Sequence, residues 1–104
     1  MSLYQSINPT LSNWAEANSV RWFVEYQDVE VRTFYLRPNS RGRVQVWVEA
    51  PHNGETMVRV SQNPRGLSRL NKRADLPTSV VSLSETLDRA LRLANEWLAE
   101  EEAG

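Results

Sequence analysis

The chain has 104 residues, room for one domain and one core, and its 40% apolar and 24% charged side chains are ordinary globular values that argue against wholesale disorder. It contains no cysteine, which excludes a disulfide framework and a thiolate metal site. The net charge of -1 hides an uneven spread: residues 37–73 carry eight basic side chains against Glu49 and Glu55, and the segments on either side are acidic. That pattern fits an acidic partner, or an acidic end folded back over a basic middle.

No apolar run approaches the roughly 20 residues that span a bilayer, and Met1 to Gln5 lacks the basic start and apolar run of a signal peptide. The expectation is a soluble, cytoplasmic protein without a membrane partner, organised as a single α+β domain over residues 1–104. Eleven arginines against one lysine suggest a GC-rich bacterial genome.

Residues 1–19 read as a lead-in and a short helix. Asn8 or Thr10 can cap it, Pro9 suits a first helical position, and Leu11, Trp14 and Ala15 follow at i, i+3 and i+4. Asn18 and Ser19 close it.

Val20 to Ser61 alternates with a period of two, the mark of an antiparallel meander with one buried face. Val20, Trp22, Val24 and Tyr26 share one parity, and Val44, Val46 and Val48 continue it with Thr56, Val58 and Val60. A hairpin tip at Gln27-Asp28 sets Tyr26 against Val29, Val24 against Val31 and Trp22 against Thr33. It also opposes Glu25 and Glu30, a mildly unfavourable pair that argues for a looser tip. Pro38 to Gly42 is a loop by composition. The turn Pro51 to Gly54, where Asn53-Gly54 can take positive φ, joins the third and fourth strands. Partners whose numbers sum to 106 then keep the valines on one side.

Asn63-Pro64 and Gly66 break the fourth strand, Leu67 and Leu70 are placed to anchor helical turns, and Leu76-Pro77 ends them. Thr78 to Val81 reads as a possible fifth, short edge strand because β-branched residues cluster there. The last element is a long helix. Ser82 with Glu85 fits a capping box, and Leu87, Ala90, Leu91, Ala94, Trp97 and Leu98 form an apolar stripe at helical spacing. The fold class expected is therefore α+β: a four-stranded antiparallel meander with room for a fifth edge strand, and a short N-terminal and a long C-terminal helix packed on one face.

No catalytic residue, metal ligand or cofactor emerges, and an enzyme is not expected. His52, the one histidine, sits in a predicted turn, where a catalytic imidazole would need an orienting carboxylate and a substrate within reach. The four glycines are scattered and form no phosphate loop.

The stronger signal is the parity opposite the valines. It presents Phe23, Arg32, Phe34, Trp47, Met57 and Arg59, with Trp47 opposite Arg59 and Phe23 opposite Arg32, close enough for cation–π contact. Aromatic, Met and Arg enrichment marks interface cores. The expected function is a non-enzymatic interaction protein (an adaptor, inhibitor or regulatory subunit) that binds a protein partner or forms a homodimer through this face. The second reading is a single-stranded nucleic-acid-binding module using the same face with Arg65, Arg69, Lys72 and Arg73. The third is a loop that covers these residues as a minor core.

Overall fold

Val44, Val46 and Val48 alternate with Gln45 and Trp47 to form one strand, and Thr56, Val58 and Val60 alternate with Met57 and Arg59 in the next. The computed structural model describes residues 2–37, 43–62 and 72–103. Its elements are, in chain order, α1 (Asn8–Asn18), β1 (Phe23–Tyr26), β2 (Val29–Leu36), β3 (Val44–Val48), β4 (Glu55–Gln62), β5 (Lys72–Ser79) and α2 (Leu83–Ala103). The five strands form one antiparallel sheet whose spatial order is the order of the sequence. The architecture is α+β, with both helices on one face of the sheet. No described helix is long and apolar enough to cross a membrane.

The β3–β4 register is the one the valine pattern requires: Val46 opposes Val60, Val48 opposes Val58, and Trp47 opposes Arg59 on the other face. The connecting turn is tight. His52 and Glu55 exchange backbone hydrogen bonds of 2.8 and 3.0 Å around Asn53 and Gly54, both at positive φ. The β1–β2 tip is equally tight, with Gln27 and Asp28 at φ 49° and 65° and Tyr26 opposite Val29. Glu25 does oppose Glu30, but the Glu30 carboxylate turns away to accept bonds from the Ser2 hydroxyl and the Leu3 amide. The like charges are thereby kept apart without loosening the turn.

Regular alternation fails one step further along. Glu25 pairs with Glu30 but Phe23 pairs with Thr33, so β2 carries one residue more than β1 across that interval. Such a bulge shifts the register by one and exchanges the faces of the strand beyond it. Two expectations are corrected as a result. Phe34, placed by parity on the outer face, is 1% exposed in the core, and Leu36 packs beside it. Arg32, also expected outside, is 8% exposed beneath the N-terminal segment. Val24 and Tyr26, expected inside, are largely exposed, because this end of the hairpin reaches beyond the helices.

The fifth strand is real but lies earlier than Thr78 to Val81: it runs from Lys72 to Ser79 and pairs along the whole of β4. Pro77 belongs to it without disrupting it. The Met57 carbonyl accepts from the Glu49 amide just past β3, so Met57 turns its backbone away from β5. The Met57–Pro77 pair therefore needs no amide from Pro77, whose missing N–H faces the open edge, where proline is tolerated. Leu67 and Leu70 lie outside the described residues.

The core is built from Ile7, Leu11 and Trp14 of the lead-in and α1, the valines of β3 and β4, Phe34, and Leu83, Leu87, Ala90, Ala94 and Leu98 of α2. Trp14 and Trp22 each find a partner for the indole N–H, the Asp88 carboxylate and the Leu11 carbonyl, both at 2.9 Å. The first of these bonds ties α1 to α2. At the start of α2 the expected capping box gives way to a different bond. The Ser82 amide donates to Ser79 Oγ at 3.1 Å rather than to Glu85.

Candidate functional site on the open sheet face

Because the helices take one face, the other presents Phe23, Thr33, Tyr35, Gln45, Trp47, Met57 and Arg59. The bulge brings Tyr35 here in place of Phe34. The rings of Phe23 and Tyr35 meet edge to face at 5.9 Å between centroids. The Arg43 guanidinium lies 5.5 Å from the Tyr35 ring centre, within cation–π range. Thr33 Oγ1 donates to the Val46 carbonyl at 2.9 Å and accepts from Gln45 Nε2 at 3.1 Å. These bonds tie Thr33 and Gln45 to one another across β2 and β3.

The β2–β3 ladder extends only from Thr33/Trp47 to Leu36/Val44, whereas β2 continues back to Val29 with β1 as its partner. The β1–β2 hairpin thus separates from β3 as a two-stranded arm, and a cleft of about 540 Å³ opens along it. Phe23, Tyr26, Val31 and Tyr35 line the arm side, Trp47, Val48 and Glu49 the other, and Tyr4 and Arg32 reach it from the N-terminal side.

That last wall is stiff. Arg32 donates from Nε and Nη2 to Asn8 Oδ1 at 3.1 and 3.0 Å and from Nη1 to the Val31 carbonyl at 2.6 Å, and it pairs with Glu30 at 3.3 Å. Its guanidinium also lies 4.6 Å from the Tyr4 ring centre. Burial pushes the Tyr4 hydroxyl above its ordinary pKa, although neighbouring Arg32 opposes the shift. The Ser2 hydroxyl and the Leu3 amide, with Arg32, hold the Glu30 carboxyl below its ordinary value.

Of the residues singled out by sequence, the structure brings Phe23, Trp47, Met57 and Arg59 to the open face. Arg32 belongs to the anchor of the N-terminal segment and Phe34 to the core. Phe23 faces Thr33 rather than Arg32. Arg59 is opposite Trp47 as expected, but its guanidinium is held by Glu49 at 2.7 Å and Asp75 at 3.2 Å. The bond to Glu49 is the main reason that Arg59 holds its proton more tightly than usual. In the basic segment, Lys72 is paired with Glu100 and Arg73 with Asp75, while Arg65 and Arg69 lie outside the described residues.

Tyr35, Val31 and Gln45 complete the cleft. Gln45 was legible by parity. Tyr35 and Val31 were not, since Val29, Val31, Thr33 and Tyr35 suit an outer strand face as well as Arg32, Phe34 and Leu36 do, and only the bulge decides between them. His52 is exposed at the β3–β4 turn, at the end of the sheet where β3 runs out. In comparison with known proteins, the chain matches no family model, no curated protein and no solved structure.

Proposed function

We propose that this chain is a non-enzymatic interaction module, an adaptor, inhibitor or regulatory subunit, that takes a protein partner on the open face of its sheet. The observation that carries this reading is the cleft between the β1–β2 arm and β3, walled by Phe23, Tyr35 and Trp47 while both helices lie on the far face. Aromatic rings on rigid strands offer contact area at little entropic cost, and such residues dominate binding energy when a partner excludes water from them. Thr33 and Gln45 between the rings are already bonded to one another and to the Val46 carbonyl, which lowers the polar surface a partner must desolvate there.

Charge weighs against the nucleic-acid reading. Arg59, Lys72 and Arg73 each face a carboxylate, and a phosphate would have to compete with it.

A photo-crosslinking side chain at Gln45, with Asn95 on the exposed side of α2 as control, tests the proposal in cells. An adduct of defined mass from the Gln45 position alone, lost on Trp47→Ala in a variant that keeps its thermal midpoint, is the expected result. Identical behaviour at the two positions, or unfolding of the Trp47→Ala variant, overturns it. Binding of a single-stranded oligonucleotide that falls steeply with salt would move the assignment to nucleic acid.

A further inference from the structure

Among the described residues the sheet ends in β1 on one side and β5 on the other, and the two edges differ. On β5 the edge carries Pro77 and the charged side chains of Arg73 and Asp75, devices that discourage a further strand. The β1 edge carries no proline and a single charged residue, Glu25. All four of its residues are exposed, and Phe23 and Val24 keep 53% and 55% of their surface.

The direction of its backbone groups follows from the turn. A two-residue turn with both central residues at positive φ closes on a hydrogen-bonded pair, here Tyr26 and Val29. Backbone groups alternate sides along a strand, so Tyr26 and Val24 face β2, and the Val24 carbonyl is indeed reached by the Arg32 side chain of β2 at 3.4 Å. Glu25 and Phe23 before them direct their N–H and C=O groups to the open edge, and Arg21 lies two residues ahead of the strand.

We propose that two copies of this chain pair antiparallel through β1, about a two-fold axis at Phe23, to make one continuous ten-stranded sheet. This deepens the interaction reading above by naming one partner, a second copy, and the edge it uses. Only registers that oppose two outward-facing residues can form the ladder. The register centred on Phe23 satisfies that condition and matches every side chain it opposes. Arg21 meets Glu25 of the other copy, twice by symmetry, as an opposite-charge pair. The exposed Val24 covers the half-buried Trp22, and the two Phe23 rings meet beside the open-face clefts. Centring on Val24 instead sets Phe23 against Glu25, and centring on Glu25 opposes like charges. An interface of this kind is isologous and closes at two copies.

Sedimentation of the full chain over a concentration series tests the register. The wild type is expected to be a dimer. Arg21→Glu and Glu25→Arg each turn both ion pairs repulsive and should weaken association roughly tenfold or more. An equimolar mixture of the two variants should restore it, because each then supplies the charge the other lacks. Glu25→Pro, which removes an edge donor without touching the β1–β2 ladder, should abolish pairing. A monomeric wild type at several hundred micromolar (on the order of the weakest specific association) overturns the proposal. So does a dimer indifferent to the charge variants, or one lost on Trp47→Ala but not on Glu25→Arg. None of these failures alters the Gln45 crosslinking result, so the open-face reading is judged separately.

Discussion

Trp22 and Phe34 meet edge to face, ring centroids 5.0 Å apart and planes at 81°. That contact exists because β2 carries one residue more than β1 between the Phe23–Thr33 and Glu25–Glu30 pairs. With Trp14 against both rings at 6.1 and 5.6 Å, the three form an aromatic cluster that seats α1 on the β1–β2 side of the sheet.

Phe34→Ala should therefore cost about 3–5 kcal/mol of folding free energy, the range for emptying a large aromatic side chain from a packed core. Phe23→Ala, at a half-exposed ring on the opposite face, should cost under about 1 kcal/mol. Urea denaturation of the two variants measures the contrast, and equal losses would mean the faces of β2 and β1 are not as described.

Arg32 fastens the N-terminal segment to β2. Arg32→Leu leaves Asn8 Oδ1 and the Val31 carbonyl without their donor and should destabilise the chain by about 1–3 kcal/mol. Arg32→Lys, which keeps the charge but not the planar fork, should recover only part of that. A loss of partner binding with stability unchanged would contradict this role.

The Glu30 carboxyl is held below its ordinary value of 4.5 by the Ser2 hydroxyl, then the Leu3 amide, with Arg32 adding to both. A carboxyl with a lowered folded value stabilises the folded state above the unfolded value and loses that contribution as pH falls towards the folded one. Protection of the Leu3 amide from hydrogen exchange should accordingly fall as pH drops below about 4.5. In Glu30→Gln the amide should be poorly protected at every pH. A flat profile in the wild type would show that the N-terminal segment is held by other contacts.

Trp14→Phe keeps most of the ring packing but removes the 2.9 Å bond to Asp88. The expected loss is about 1 kcal/mol, at the low end for a bond to a charged acceptor because Asp88 is exposed. In Asp88→Ala the same loss should recur, and the double variant should lose little more. A thermodynamic cycle over the two positions checks it.

How far the sequence can be read depends on how many local signals agree. Along β3 and β4 the valine alternation, the Asn53-Gly54 turn and the requirement for one apolar face all select one register, and that register is observed. In β2 the two parities are nearly equal in strand preference. The choice rests on a bulge that only the packing of Phe34 between Trp14 and Trp22 rewards. β5 was hidden for another reason: Asp75 and Pro77 are poor strand formers, and an edge strand accepts them because half its backbone groups need no partner. The open-face site was legible in Phe23, Trp47, Met57 and Arg59, which belong to strands where alternation holds. Its Tyr35 wall lies beyond the bulge.

The strands lie side by side in the order they occur in the chain, and this has a consequence for how the molecule assembles. Each ladder joins neighbours in sequence, so forming the sheet closes only short stretches of chain and the entropy lost at each step is small. Distant closure is concentrated in the helices, where Trp14 and Asp88 lie 74 residues apart. Ladders between sequence neighbours favour faster folding than non-local strand pairing does. The sheet is thus expected to be largely formed in the transition state, with the α1–α2 seam consolidating later. Variants at Val46 and Val58 should mainly slow folding, while those at Trp14 and Asp88 should mainly speed unfolding.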